Sequence, residues 1–170
     1  GGPLLNLKGE VIGINRAIRT SGVDQTGEPI NTGIGFAISG NIIRRGIPYL
    51  INYGTYDYPY IGVTARSNIT LVEQELLDLS QATGAYVTGV EAGSPADLAG
   101  VRGGTASSEI PGVYGGGDLI IAADGRPVMI FADLMSYLMT NKSPGDQLIL
   151  TIIRGENQEM DLVVTLGKRE

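Results

Sequence analysis

Catalysis needs nucleophiles, acids, bases or metal ligands at workable spacing, and this chain offers few. It holds no His and no Cys. Imidazole acid–base chemistry, Ser–His and Cys–His nucleophiles, His or Cys metal sites and disulfides therefore cannot reside wholly within it. A Ser–Lys dyad would have to draw on Lys8, Lys142 or Lys168. Lys142 adjoins Ser143, but Pro144-Gly145-Asp146 follows at once, so the stretch reads as a polar turn. Glu73, Glu75 and Asp78 share one short helical segment and read as a solvated face. Gly115-Gly116-Gly117-Asp118 lacks the Lys-Ser/Thr that would make it a phosphate loop. Asn68-Ile69-Thr70 and Asn141-Lys142-Ser143 match glycosylation sequons, a pattern that arises often by chance. A metal would have only oxygen ligands, and no calcium-loop spacing is present. The expectation is no catalytic residue, no metal and no cofactor in this chain.

One short segment points to binding instead. Ile61-Gly62-Val63 sets a Gly between two apolar residues at the start of a strand. That arrangement lets successive backbone N–H groups face one concavity, a nest that accepts a carboxylate. The following residues, Val63-Thr64-Ala65-Arg66, would offer a strand edge to an extended peptide.

The elements that must position such a segment follow from composition and pattern. The chain has 170 residues, 42% apolar and 18% charged, which suits a folded domain or one domain plus part of another. Its net charge of -6, from 12 basic and 18 acidic side chains, argues against nucleic-acid backbones as partners. No apolar run approaches the roughly 20 residues of a membrane helix, and no signal peptide is visible. The 26 glycines imply many tight turns.

Residues 1–52 form a first part. Glu10–Asn15 and Gly33–Ile38 read as strands, separated by a polar loop over 20–32. Ser39 caps a helix over about 40–52, which Pro48 should bend or interrupt. Two strands and a helix cannot enclose a core in so short a span, so these strands should be poorly packed or paired across a dimer. Residues 53–59 read as a linker, and five of the eight tyrosines fall between Tyr49 and Tyr60.

Residues 60–170 read as a complete mixed α+β domain. Tyr60–Arg66 is a strand, and Thr70-Leu71-Val72-Glu73 is a capping box that opens a helix through about Leu79. Gly84–Glu91 is a strand; Ser94-Pro95-Ala96-Asp97 opens a short helix, and Gly100 stops it. A surface insertion spans 103–117. A strand at 118–123 then turns at Asp124-Gly125. A helix covers about 132–140, and a final hairpin runs through 147–154 and 159–166 around Gly155-Glu156-Asn157. Met160, Leu162, Val164 and Leu166 alternate, which buries one face of the last strand.

Four pieces of 60–166 carry a resemblance through their order and spacing. They are Tyr60-Ile61-Gly62-Val63, then Gly93-Ser94-Pro95-Ala96-Asp97-Leu98-Ala99-Gly100-Val101, then Gly117-Asp118-Leu119-Ile120-Ile121-Ala122-Ala123-Asp124-Gly125, then Ser143-Pro144-Gly145-Asp146. Together they resemble a PDZ domain of the kind attached to HtrA-type serine proteases. Gly1-Gly2-Pro3-Leu4-Leu5-Asn6, with the strands at 9–15 and 33–38, resembles the end of the protease domain of that family. The resemblance implies a PDZ-like, partly open β-barrel or sandwich with two or three helices. Before it would come a two-strand-plus-helix remnant of a chymotrypsin-like barrel. The catalytic Ser, His and Asp would lie upstream of Gly1, leaving the chain inactive alone and its parent a serine endopeptidase of extracytoplasmic protein quality control.

The resemblance also assigns roles. Ile61, Gly62, Val63 and Thr64, with Met135 and Leu138 on the facing helix, would bind an apolar C-terminal or exposed peptide segment. Periodicity alone favours Met135 and Leu138 as ordinary core, and the resemblance is what makes them groove residues. Gly1 and Gly2, Asn15-Arg16-Ala17, and Ile34-Gly35 would be remnants of the protease's substrate pocket. The partners implied are unfolded or C-terminal peptides, with homo-oligomerisation through the orphan strands. Alternatives are a non-catalytic adaptor and a structural module. One departure stands out: many PDZ domains carry a basic residue shortly before the carboxylate loop, and no Lys or Arg lies between Arg45 and Arg66.

Overall fold

The computed structural model describes residues 1–67, 69–108, 114–155 and 157–169. Asn68 of the first sequon, residues 109–113 of the expected insertion and Glu156 of the expected last turn lie outside the described residues. The chain divides into two compact units, Gly1–Tyr56 and Asp57–Glu170.

The first unit is a three-stranded antiparallel sheet, β1 (Pro3–Leu5), β2 (Val11–Val23) and β3 (Pro29–Ser39), followed by α1 (Gly40–Tyr53). Sequence pattern missed β1 because three residues are too few to show alternation. The polar stretch 20–32 is not a long loop. It is the tip of the β2–β3 hairpin, with Thr20 opposite Asn31 and Val23 opposite Pro29. Asp24 closes the turn: its Oδ1 accepts from Thr26 N, Thr26 Oγ1 and Glu28 N at 2.8, 2.6 and 3.0 Å. The Thr26 hydroxyl and the backbone N–H groups of Glu28 and Thr26 hold that carboxyl below its usual range. Ladder bonds need no apolar side chains, so polarity misled. Helix α1 runs through Pro48 rather than stopping there, and ends at Gly54, whose φ of 73° makes the left-handed cap. Only Gly13 and Gly46 are buried in this unit.

The second unit begins with β4 (Pro59–Tyr60), β5 (Val63–Arg66), α2 (Leu71–Leu76), β6 (Ala85–Val90) and α3 (Pro95–Leu98). It continues with β7 (Ala106–Ser107), β8 (Tyr114–Gly115), β9 (Leu119–Ala123), β10 (Arg126–Pro127), α4 (Phe131–Asn141), β11 (Gln147–Arg154), β12 (Gln158–Thr165) and β13 (Gly167–Lys168). The main sheet has the order β12-β11-β9-β6-β5 with β10 beside β9, so it is open at both ends and forms no closed barrel. Two short pairs, β13 with β4 and β7 with β8, complete the unit.

Its core has a main cluster and a smaller one around Tyr86, Leu119 and Ile153. Leu148, Leu150 and Ile152 alternate along β11 and are fully buried, with Val164 of β12, Ile120 of β9, Val87 of β6 and Leu134 and Leu138 of α4. Met160 and Leu162 pack against it, following the alternation read along the last strand. The capping box of α2 is present, with Glu73 N bonded to Thr70 Oγ1 at 3.2 Å and Thr70 N to Glu73 Oε2 at 2.8 Å. The helix stops at Leu76 rather than Leu79, and Asp78 turns the chain with a φ of 52°.

The 103–117 segment is not a loose surface loop at its ends. A Cβ on Gly103 would lie 2.8 Å from Gly89 Cα, and one on Gly117 would lie 2.2 Å from Val87 O, so both stems lie flat on β6. The Tyr86 hydroxyl donates to Tyr114 O at 2.7 Å and accepts from Gly117 N at 3.0 Å. Burial pushes the Tyr86 phenol up. Asp118, fully buried, takes both the Arg154 guanidinium and Arg102 N.

Candidate functional site

The strand expected over 60–66 is broken, and the break builds the site. β4 pairs with β13, β5 pairs with β6, and Ile61-Gly62 turns between them. Gly62 has a φ of 82°, where side chains are strained, and a Cβ there would sit 2.2 Å from Ser94 Cβ. Two backbone bonds hold the turn from behind: Ala96 N to Ile61 O and Glu91 N to Gly62 O, both at 2.9 Å. The Ser94 cap of α3 thus serves a second purpose, as the surface on which the Gly62 backbone rests.

β5 is the terminal strand of the sheet, so one of its edges has no strand partner. Val63 lies opposite Val90, and the flanking Glu91 N to Gly62 O bond marks this as a wide pair. In such a pair the residue's own N–H and C=O turn away from the partner strand, here toward the open edge. Val63 and Ala65 are half-buried against the core; Thr64 and Arg66 are exposed.

Helix α4, expected to form the second wall, is fixed at both ends. At its start Phe131 N donates to Ser67 Oγ at 2.7 Å, which ties it to the end of β5. Asp133 Oδ2 accepts from Met129 N and Ile130 N at 3.0 Å. At its far end Asp124 receives the Tyr137 hydroxyl and Lys142 Nζ, each at 2.7 Å, and Ile149 N at 2.9 Å. Burial pushes the Asp124 carboxyl up. The Ile149 N–H, Lys142 and Tyr137 outweigh it, leaving the group below its usual range.

The expected peptide-binding residues converge. Ile61 and Leu138 belong to the core cluster, 4% and 0% exposed, and Val63 and Met135 pack against the same cluster. Leu138 therefore lies beneath the surface, whereas Met135 reaches it. Gly62 is buried and Thr64 faces outward, beside a shallow cavity of about 320 Å³ that also meets Tyr60, Val90 and Glu91. Sequence reasoning missed Ser67, Ser94, Phe131 and Asp124. Ser94 and Asp124 carried local signals, but these marked a helix start and a turn.

In the first unit, Asn15 N donates to Gly2 O at 2.9 Å. Arg16 sits at a register shift between Asn15 and Ala17, and Gly35 lies opposite Ile18. Gly1, Asn15, Arg16, Ala17 and Ile34 are all exposed. Asn15, Arg16 and Ala17 of β2 and Ile34 and Gly35 of β3 share one sheet, to which the Asn15 bond ties Gly2.

Comparison with known proteins decides the family. The PDZ domain family matches residues 59–165. The chain belongs to the PDZ-domain family, in its HtrA-type protease branch. It is 36% identical over 169 residues to a probable periplasmic serine endoprotease, DegP-like, of Chlamydia trachomatis, covering 97% of this chain and 29% of that protein. It is 32% identical over 166 residues to the periplasmic pH-dependent serine endoprotease DegQ of Escherichia coli, covering 98% of this chain and 32% of that protein. The chain therefore spans about a third of the length of these curated relatives. Among solved structures it resembles the HtrA-type protease AlgW with a decapeptide. That match has a TM-score of 0.69 and 26% identity, and it covers all of this chain and 46% of the other. The mixed, strand-rich fold with few helices is thus that of the PDZ domain.

Proposed function

We propose that residues 57–169 bind extended apolar peptide segments by strand addition, and that this binding serves an HtrA-type serine endopeptidase. The observation that carries the reading is the unpaired edge of β5, which runs directly out of the Gly62 turn and whose far end is tied to the start of α4 through Ser67. A peptide laid antiparallel to β5 would exchange backbone bonds with Val63. It would end with its carboxylate on the N–H groups of Ile61-Gly62-Val63 and set its last side chain against Met135. Met135 makes that socket adaptable. The peptide complexes of the related AlgW support the choice of ligand class.

The first unit takes the role of a protease-domain segment. Its β1-β2-β3 sheet would belong to the trypsin-like barrel, with Gly1 and Gly2 after the nucleophile and Asn15-Arg16-Ala17 and Ile34-Gly35 beside the substrate. Without the rest of the triad and its oxyanion hole this segment has no catalytic organisation. These curated relatives are named as periplasmic enzymes, which supports an extracytoplasmic setting.

A calorimetric titration tests the reading. An apolar peptide with a free C-terminal carboxylate and its amidated twin are titrated separately. Tighter binding of the free acid, abolished by Met135→Asp, is the expected result. Equal binding of both would assign the groove to internal segments. Binding of neither would overturn the peptide-binding reading.

A further inference from the structure

The Gly62 loop lacks a basic residue before it in sequence, yet the fold brings one in from the other end of the chain. β13 pairs with β4, placing Gly167 opposite Tyr60 and Lys168 opposite Pro59, and Arg169 N donates to Tyr58 O at 3.2 Å. Lys168 is engaged by Asp57 at 2.9 Å. Arg169 has no carboxylate within ion-pair distance among the described residues. It lines a cavity of about 550 Å³ together with Tyr60, Glu91 and Ser94. Ser94 is the residue on which Gly62 rests, so this cavity and the carboxylate loop share a wall. The Tyr60 hydroxyl donates to the Glu91 carboxylate. That bond, burial and the Glu91 charge push the phenol up, while Arg169 acts in the opposite direction. Arg169 and Glu91 are thus opposed charges beside one loop.

We propose that Arg169 determines specificity for a free C-terminal carboxylate at the Ile61-Gly62-Val63 loop, with Glu91 acting against it. The inference rests on the peptide-binding reading above. The guanidinium need not touch the ligand, because a charge within a Debye length of about 8 Å at physiological salt still biases association. Selectivity for the free acid then follows which of the two opposed charges lies closer to the bound carboxylate.

The test compares free-acid and amidated forms of a short apolar peptide ending in Val, titrated into the full chain and its variants at low and high salt. R169Q is expected to weaken the free acid about two- to five-fold, the range of a solvent-exposed charge pair. E91Q, which retains an acceptor for Tyr60, is expected to tighten it by a similar factor. The amide should respond to neither, R169K should restore wild-type affinity, and high salt should shrink both effects. A wild-type preference for the free acid that R169Q leaves unchanged would overturn the inference while the peptide-binding reading stands. So would equal weakening of acid and amide, which would make Arg169 structural. Equal wild-type affinity for both peptides would remove the carboxylate reading itself, and the inference with it.

Discussion

The β2–β3 and β11–β12 hairpins are both antiparallel ribbons rich in Ile, Leu and Val. In β11–β12 the alternation sorts side chains cleanly: Leu148, Leu150 and Ile152 are fully buried under α4 and the neighbouring strands. In β2–β3 the same kind of alternation leaves Ile14 40% and Phe36 56% exposed. Both are paired ladders, though β2–β3 carries three register shifts and β11–β12 none. The difference lies in the second layer: a sheet stabilises a fold only when another element covers its apolar face.

The comparison can be broken most directly by separating the two regions. Residues 57–170 alone should keep a cooperative thermal transition by calorimetry. Residues 1–56 alone should show none, since a three-stranded sheet with two buried glycines removes too little apolar surface from water. A cooperative transition in 1–56 would show that α1 covers the sheet better than its exposure suggests.

Single substitutions sharpen the contrast. Leu150→Ala, in a fully buried position, should cost about 2–5 kcal/mol in urea unfolding of the second unit. Phe36→Ala, in an exposed strand position, should stay within about 0.5 kcal/mol. Gly62→Ala should cost about 1–3 kcal/mol, because its Cβ collides with Ser94. The double variant with Ser94→Gly should recover part of that loss, leaving the strain of the positive φ. Recovery of none would mean backbone conformation, not collision, sets the requirement. Thr70→Ala removes the capping box and should cost about 1 kcal/mol.

The smallest effect is a pH dependence. The folded Asp124 carboxyl lies below its ordinary value of 3.8. Its contribution is complete above that value and is lost as pH falls through the lower folded value, where the bonds from Lys142 and Tyr137 lose their anionic acceptor. D124N should lower stability near neutrality, where the Asp124 contribution is complete, and flatten the acid limb of the stability–pH curve below about pH 4. A wild-type curve that survives D124N intact would assign the acid limb to other carboxylates.

Much of the second unit was legible from local chemistry. Thr70-Leu71-Val72-Glu73 and Ser94-Pro95-Ala96-Asp97 announce helix starts because their side chains bond backbone groups within four residues, which needs no tertiary context. The alternation of Met160, Leu162 and Val164 is local in the same sense. The tip of the β2–β3 hairpin was illegible because its residues are polar and its stability comes from ladder bonds and the Asp24 turn. Pro48 does not interrupt α1, which continues to Tyr53: proline's helix-breaking cost is an average that the rest of the helix can offset. The floor and far wall of the candidate groove were read only as alternatives. A three-residue spacing places Met135 and Leu138 on one side of a helix without saying how deep each lies.

Local pattern therefore settled the longer strands and helices of the second unit, the caps of α2 and α3, and the absence of His and Cys from the chain. Each depends on residue identity or on neighbours a few positions apart. Three features came from pairings across the whole domain: the unpaired edge of β5, the seat of Gly62 on Ser94, and the arrival of Arg169 beside Tyr58. Those pairings join residues about 30 to more than 100 positions apart in SEQ order. Their existence depends on where the packed core directs each strand end, which no short window of sequence encodes.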